Sequence, residues 1–113
     1  MVEVKPAIIV MKHTCMGDET LDLICQGVEE ESIPWEILED PETTAAKLAY
    51  QAALASRLDV GIGVGQDGVI AVHHAALQPE MPLMASGKNP EGPECVMLGK
   101  NAARLVKGLP LSV

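Results

Sequence analysis

Aromatic side chains are nearly absent from this sequence. It has no phenylalanine, one tryptophan and one tyrosine, although 48% of its 113 residues are hydrophobic. Any core must therefore be built from valine, isoleucine, leucine, alanine and methionine. A chain of this length can bury roughly two-thirds of the surface that its unfolded form exposes. We predict a single domain over residues 1–113, with a core that needs no disulfide bonds.

Basic residues, paired cysteines and long apolar runs are also scarce. Eight Lys and Arg against 16 Asp and Glu give a net charge of -8, which argues against nucleic acid or an anionic membrane as the main partner. The three cysteines lack zinc-ligand spacing and are typical of free thiols in a reducing cytoplasm. No apolar run approaches the roughly 18 residues that span a bilayer. We therefore expect a cytoplasmic protein that binds neither nucleic acid nor a membrane.

Strand-like and helix-like stretches alternate in the first half of the chain. Pro6–Met11 is apolar throughout, as in a strand buried on both faces of a parallel sheet. After Asp18, a candidate N-cap, one helix face is marked by Leu21, Ile24, Cys25 and Val28. Two further elements are predicted: a strand over Ile33–Leu38 and an alanine-rich helix from Thr43 or Thr44 to about Arg57.

The second half contains an Asp-Gly turn between two β-forming runs. This pattern predicts a hairpin over residues 60–74. A Gly-x-Gly-x-x-Gly pattern from Gly63 to Gly68 overlaps the turn, but a dinucleotide site needs a helix after it. Because β-branched residues follow instead, we predict no nucleotide site here.

The last elements are a short strand, a polar loop and a helix, predicted over 82–85, 86–93 and 94–107 respectively. Gly108 suits the C-cap of this helix. Gly99 costs about 1 kcal/mol relative to alanine inside a helix, so a start near Lys100 is an alternative. Together the elements predict the α/β class: one layered domain, a mostly parallel sheet of about five short strands, and helices on both faces.

Catalytic patterns are missing. His73 and His74 end the hairpin, and neighbouring side chains of a strand point to opposite faces, so the pair cannot bind one metal ion. We interpret them as surface or hydrogen-bonded structural histidines. No nucleophile elbow, Cys–His pair or P-loop can be identified. We therefore predict a chain that is not an enzyme and has no catalytic or cofactor-binding residues.

Three consecutive carboxylates, Glu29 to Glu31, end the first predicted helix. Acidic side chains there oppose the helix dipole and cost about 0.3–1 kcal/mol each. At about 100° per residue, Glu30 points away from the apolar stripe, on the side of Leu23 and Gly27. This side is either a solvated helix end or a docking surface. Carboxylate oxygens suit magnesium or calcium, so Glu30 could complete a cation site at a subunit interface.

Two segments carry a family resemblance. Gly27–Trp35 is similar to Gly-Ile-Glu-Glu-Glu-Gly-Ile-Pro-Phe, and Asn101–Pro110 is similar to Asn-Ala-Ala-Arg-Leu-Val-Lys-Gly-Ile-Pro. With the length and element order, they resemble the small (beta) subunit of the diol/glycerol dehydratase-reactivating factor. Ser32 and Trp35 depart from the pattern, which has Gly and Phe there. The region from 61 to 93 matches less specifically, so no site is transferred to it.

The resemblance implies a function in protein reactivation. Such a factor is a chaperone-like complex of two large and two small subunits, acting on an adenosylcobalamin-dependent dehydratase whose cofactor has been damaged. The large subunit is an actin-like ATPase that alone binds ATP or ADP. The small subunit resembles the dehydratase β subunit, exchanges with it, and so allows release of the damaged cobalamin. Association with a bacterial microcompartment is a further expectation.

The resemblance also implies a site. The middle glutamate of the family's acidic segment reaches a magnesium or calcium ion held mainly by the large subunit, and this role is carried to Glu30. The predicted partner interface comprises Leu23, Gly27, Glu30 and Glu31. The alternative function is a flavodoxin-like regulatory domain that binds a small molecule at the carboxyl ends of its strands, near His13–Gly17 and Gly61–Gly65.

Overall fold

One five-stranded sheet organises the residues that the structure, a computed structural model, describes (6–111). Its strands are β1 (Ile8–His13), β2 (Trp35–Asp40), β3 (Val60–Val64), β4 (Ile70–His74) and β5 (Met84–Ala85); the helices are α1 (Asp18–Glu30), α2 (Ala45–Ala55) and α3 (Gly92–Lys107). The strand order is β2-β1-β3-β4-β5. β1 pairs parallel with β2 and β3, whereas β4 pairs antiparallel with β3 and β5. The predicted α/β class, five strands, hairpin and two-sided layering are confirmed. The prediction of a mostly parallel sheet is wrong: the sheet is mixed, because both pairings of β4 are antiparallel.

The α1 and α3 helices lie on one face of the sheet, where the larger part of the core is. β1 is buried on both faces, as its unbroken apolar run predicts. The side chains packed between this face and the two helices are mostly branched aliphatics: Ile8, Val10, Leu21, Ile24, Val28, Val60, Ile62, Val64, Ile70, Val72 and Leu98. Burial of such side chains is worth roughly 1.5–3 kcal/mol each, so this layer makes the larger hydrophobic contribution to stability.

The α2 helix covers the other face and lies unusually close to β3. A Cβ on Gly61 would lie 2.2 Å from the backbone nitrogen of Ala53, and a Cβ on Gly63 would lie 2.3 Å from the carbonyl oxygen of Ala45. Alternating glycines on the strand therefore form a groove for a helix whose inner face is alanine. This explains the Gly-x-Gly-x-x-Gly pattern as a packing device, and Gly68, at φ 82°, as a turn residue.

The α1 and α3 helices approach each other through a second pair of glycines. A Cβ on Gly27 would lie 2.0 Å from the carbonyl oxygen of Val96, and one on Gly99 would lie 2.0 Å from that of Ile24. Gly99 is therefore inside α3, which begins at Gly92, and the alternative start near Lys100 is wrong. The propensity cost of Gly99 is the condition for this close approach.

Several predicted element ends are shifted. β1 runs on through Lys12 and His13, which the sequence analysis assigned to a loop, and both are buried. The N-cap of α1 is Gly17 rather than Asp18, which is the first helical residue. Gly108 has φ 71° and ends α3 in the left-handed conformation, so its predicted role as C-cap is confirmed.

The two histidines of β4 have structural hydrogen bonds. His73 is fully buried beside Tyr50, with ring centroids 5.1 Å apart. Its Nδ1 accepts from the backbone N–H of His74 at 3.0 Å, and its Nε2 lies 3.1 Å from the carbonyl oxygen of Pro79. A proton on Nε2 satisfies both contacts. The Nδ1 of His74 accepts from the N–H of Ala76, so the interpretation as satisfied structural histidines is confirmed.

Candidate functional site

The two segments that carry the family resemblance lie against each other. Residues 27–35 include the end of α1, and residues 101–110 include the end of α3. Lys107 Nζ donates to the carbonyl oxygen of Glu31 at 2.9 Å. Two stretches far apart in the sequence thus form one surface region, which makes this region the candidate site.

A second face of α1 produces this contact. Leu23, Gly27 and Glu30 follow one another at helical spacing, and they lie along α3. Leu23 lies beside Gly92 of α3, and Gly27 is buried beneath it. The expectation that this face points away from the protein is therefore wrong for Gly27 and only partly right for Leu23. The spacing correctly identified a face, but spacing cannot tell a partner protein from another helix of the same chain.

The three glutamates have three different surroundings. Glu29 accepts a hydrogen bond from Trp35 Nε1 at 3.2 Å, which fastens the start of β2 to the end of α1. Glu30 Oε2 lies 3.4 Å from Lys100 Nζ, and its side chain is 43% exposed. Glu29 and Glu30 are both exposed, whereas Glu31 is not; because Glu29 is bonded to Trp35 within the chain, Glu30 is the carboxylate that we assign to a partner.

Glu31 is turned back onto α3. Its carboxylate lies 3.5 Å from Arg104 Nε and 3.4 Å from Lys107 Nζ, and its side chain is only 14% exposed. Partial burial by itself would raise the pKa of Glu31, but the hydrogen bond from Lys107 and the charges of Arg104 and Lys107 lower it below the ordinary value. Glu31 therefore joins α1 to α3.

Together Glu30, Glu31, Lys100, Arg104 and Lys107 form what we term the charged cluster. It resolves the unfavourable charge at the end of α1, because the bases of α3 lie beside carboxylates that oppose their own helix dipole. The bases also suit the C-terminus of α3 itself. The charged cluster therefore compensates two helix ends at once.

The turn after the acidic run has a left-handed residue. Ser32 has φ 61°, a conformation that glycine adopts without steric cost and that other residues adopt at a cost of roughly 1–2 kcal/mol. The similar family segment has glycine at this position. The backbone therefore explains the family pattern, and serine is the strained variant of it.

The carboxyl ends of the strands contain a buried lysine that the sequence analysis missed. Lys12 Nζ donates to the carbonyl oxygen of Met16 at 2.7 Å and lies 3.1 Å from a Glu39 oxygen. The signal available was a lysine directly after an apolar strand, which is equally typical of a loop. A recess of about 340 Å³ is lined by residues that include Thr43, Thr44, Gln66 and Asp67. Its lining contains no residue of His13–Gly17 or Gly61–Gly65, where the flavodoxin-like alternative would place a ligand.

The three cysteines all lie in the described part of the chain. Cys15 is exposed, whereas Cys25 and Cys95 are buried, and none forms a disulfide. Burial, with the charges of Asp22 and Glu29, raises the pKa of Cys25 to about 12. Between residues 6 and 111 no three His, Cys, Asp or Glu side chains come together as metal ligands. No helix in that range has the length and apolar content needed to cross a bilayer.

Comparison with known proteins identifies the family. Residues 5–112 match the family model described as Dehydratase medium subunit. The chain belongs to this dehydratase medium-subunit family. A relative from Citrobacter freundii, the propanediol dehydratase-reactivating factor small subunit, is 37% identical over 105 residues, covering 93% of this chain and 89% of the relative. The resemblance predicted from the two segments is therefore confirmed.

Solved structures of family members have the same fold. A chain of glycerol dehydratase reactivase aligns with a TM-score of 0.92 and 33% identity, covering 96% of this chain and 98% of that one. A diol dehydratase-reactivating factor complexed with ADP and Mg2+ aligns with a TM-score of 0.88 and 32% identity, covering 97% and 100%. This medium-subunit member therefore matches reactivating-factor chains over nearly its full length.

Proposed function

We propose that this chain is the non-catalytic small subunit of a chaperone-like reactivating factor for an adenosylcobalamin-dependent diol or glycerol dehydratase. The observation that carries the proposal is the near-complete alignment with a reactivating-factor small subunit at 37% identity. In the proposed mechanism the chain binds an ATPase large subunit. It then exchanges with the dehydratase β subunit, and the damaged cobalamin is released.

The proposed assembly contains two large and two small subunits, in the cytoplasm or in a bacterial microcompartment. Nucleotide is assigned to the large subunit alone. Support comes from the related factor whose structure was determined with ADP and Mg2+, and from the Gly63–Gly68 pattern, which serves α2 packing in this chain. The proposed contribution of this chain is a binding surface for the large subunit, formed by the ends of α1 and α3 and their charged cluster.

Within that surface, Glu30 is the proposed ligand of a magnesium or calcium ion shared with the large subunit. Its side chain is 43% exposed and pairs with Lys100, and carboxylate oxygens are the donors that both ions prefer. The residue therefore fits the role of a single ligand, with the other ligands supplied by the large subunit. When bound, the ion would bridge the two subunits electrostatically.

The other predicted interface residues are proposed in narrower roles. Leu23 is half-buried, so part of its side chain can still contact the large subunit. Gly27 and Glu31 contact α3, and they are proposed to support the interface from beneath by fixing the position of Glu30. Direct contact with the partner is thus concentrated at Glu30.

Subunit association at controlled cation concentration tests this proposal. The large subunit is titrated with wild-type chain or with Glu30→Gln, in Mg2+ or Ca2+ and then in EDTA. We expect Glu30→Gln to weaken cation-dependent association roughly tenfold or more, which is the size of effect that follows loss of groups supporting a metal site.

The matched control is Glu36→Gln, because Glu36 is an exposed carboxylate on β2. It should leave association unchanged. Equal affinities of wild type and Glu30→Gln for the large subunit at every cation concentration would refute the role of Glu30. Absence of any association between wild-type chain and large subunit would refute the proposed function as a whole.

A further inference from the structure

Lys100 connects the close helix contact to the exposed carboxylate. Its backbone nitrogen lies 2.8 Å from where a Cβ on Gly27 would be, so the backbone at this position is fixed against α1. Its side chain, 32% exposed, extends to the end of α1, where Nζ lies 3.4 Å from Glu30 Oε2. A fixed backbone therefore places a partly exposed ammonium group beside Glu30, the more exposed of the two carboxylates in the charged cluster.

The Glu30–Lys100 contact is weak compared with its neighbour. Glu31 is held by Arg104, and by Lys107 through both its carboxylate and its carbonyl oxygen. The Glu30 carboxylate lies 3.4 Å from Lys100 Nζ, which is no longer than the 3.4 and 3.5 Å carboxylate contacts of Glu31, but the Glu30 side chain is 43% exposed whereas that of Glu31 is 14% exposed. Exposed ion pairs of this kind are easily exchanged with solvent and salt. Two adjacent carboxylates therefore differ: Glu31 is held by several contacts with α3, whereas the lysine partner of Glu30 can be replaced by another cation.

We propose that Lys100 is a built-in competitor for the divalent cation at Glu30, and that it sets the cation concentration at which the subunits associate. The proposal rests on the proposed cation role of Glu30. A lysine ammonium and a divalent ion cannot share this carboxylate closely, because like charges at such distances repel strongly. Cation binding therefore displaces Lys100, which is free to move because its side chain is partly exposed.

This arrangement gives Lys100 a function that a purely structural ion pair would not have. While the cation is absent, the lysine keeps Glu30 neutralised, so the free chain does not present an unpaired carboxylate. When the large subunit brings its cation, the lysine leaves. A structural role predicts that loss of Lys100 weakens association, whereas a competitor predicts that its loss strengthens association at limiting cation.

The test uses Lys100→Met in the complete complex of small and large subunits. Association is measured over a range of Mg2+ and, separately, Ca2+ concentrations. We expect the half-saturating cation concentration to fall roughly two- to fivefold, the range that corresponds to loss of one exposed ion pair. Lys100→Arg keeps the charge and should retain most of the competition.

Two controls separate direct competition from a general change of charge. Lys88→Met removes the same charge from an exposed loop residue, and Lys107→Met removes one from a residue that contacts Glu31 rather than Glu30. Both should shift the half-saturating concentration less than Lys100→Met. An equal shift in Lys107→Met, or an unchanged or higher half-saturating concentration in Lys100→Met, would overturn the proposal.

The same measurements distinguish failure of this inference from failure of the proposed site. If Glu30→Gln leaves the cation dependence intact, the site is wrong and Lys100 has nothing to compete for. If Glu30→Gln abolishes the cation dependence while Lys100→Met has no effect, the site stands and only the competitor role is lost. Thermal unfolding of each variant shows whether a change in association reflects a change in folding.

Discussion

The two faces of the sheet are closed in different ways. On one face α2 alone lies on the alternating glycines of β3. On the other face α1 and α3 lie over large aliphatic side chains and touch each other at Gly27 and Gly99. The first contact involves β3 in the interior of the sheet, which is paired on both sides, whereas the second joins two helices, which we expect to shift apart more easily. We therefore expect the α2 face to be the more rigid one and the α1–α3 face to be the more adjustable one.

The largest expected effect tests the rigid face. Gly63→Ala should destabilise the protein by about 3 kcal/mol, the upper end of the usual overpacking cost, because its Cβ would lie 2.3 Å from backbone atoms of α2. Urea unfolding provides the measurement. Gly17→Ala is the matched control, since a Cβ there has no neighbour within 4 Å. Similar stability of Gly63→Ala and Gly17→Ala would contradict the close packing of α2 against β3.

A smaller effect is expected when the same substitution is made between the helices. Gly99→Ala should cost about 1–2 kcal/mol, because separation of α1 and α3 relieves part of the overlap and alanine returns about 1 kcal/mol of helix propensity. The same urea experiment applies. If Gly99→Ala is as destabilising as Gly63→Ala, the α1–α3 face is not the more adjustable one.

The smallest effects are expected at two carboxylates, Glu42 on the α2 side of the sheet and Glu31 on the α1–α3 side. Glu42, just before α2, accepts the backbone N–H groups of Thr43 and Thr44 at 2.9 Å. The hydrogen bond from the Thr44 N–H lowers the pKa of Glu42 below its ordinary value of 4.5. Partial burial raises this pKa, whereas the hydrogen bond from Thr43 and the charge of Lys47 lower it further. A lowered folded-state pKa stabilises the protein above the unfolded-state value, and this contribution disappears as pH falls through the folded-state pKa.

Glu42→Gln should therefore be slightly less stable than wild type at neutral pH and equal to it in acid. The loss should persist at high salt, because short hydrogen bonds are screened little.

Glu31→Gln should also be slightly less stable at neutral pH. Its loss should shrink in 1 M NaCl, where the screening length is about 3 Å, because charge pairs with Arg104 and Lys107 are involved. Thermal unfolding at two pH values and two salt concentrations checks both, and identical salt responses would contradict the assignment.

Much of the fold follows from local sequence patterns. The hairpin is encoded by Asp67-Gly68 between β-forming runs, and the end of α3 by Gly108, so both were predictable without knowledge of distant contacts. The buried β1 follows from its apolar run. What failed at β1 was its end, since Lys12 reads as a loop residue until Glu39 and the Met16 carbonyl are known to lie beside it.

The candidate site was only partly predictable for the same reason. Helical spacing singled out the face that contains Gly27 and Glu30, because such spacing is a local property. It could not reveal that α3 covers Gly27 or that the bases of α3 pair with the glutamates, since these contacts join residues about 70 positions apart. Helical geometry was enough to predict that Glu30 points away from the core. Only the tertiary contacts show that Glu30 is exposed while Glu31 is held against α3.

The central place of β1 has a consequence for how the protein folds. Both of its neighbours, β2 and β3, come later in the chain, with Ile8 beside Trp35 and Ile9 beside Gly61. The hairpin of β3 and β4 is a local structure that closes a short loop, whereas each pairing of β1 closes a long one at a higher entropic cost. During synthesis the apolar side chains of β1 therefore stay exposed until β3 has been synthesised. We therefore expect β1 to pair more slowly than the hairpin forms, and we expect β1 to be a stretch of the nascent chain that is open to aggregation until it pairs.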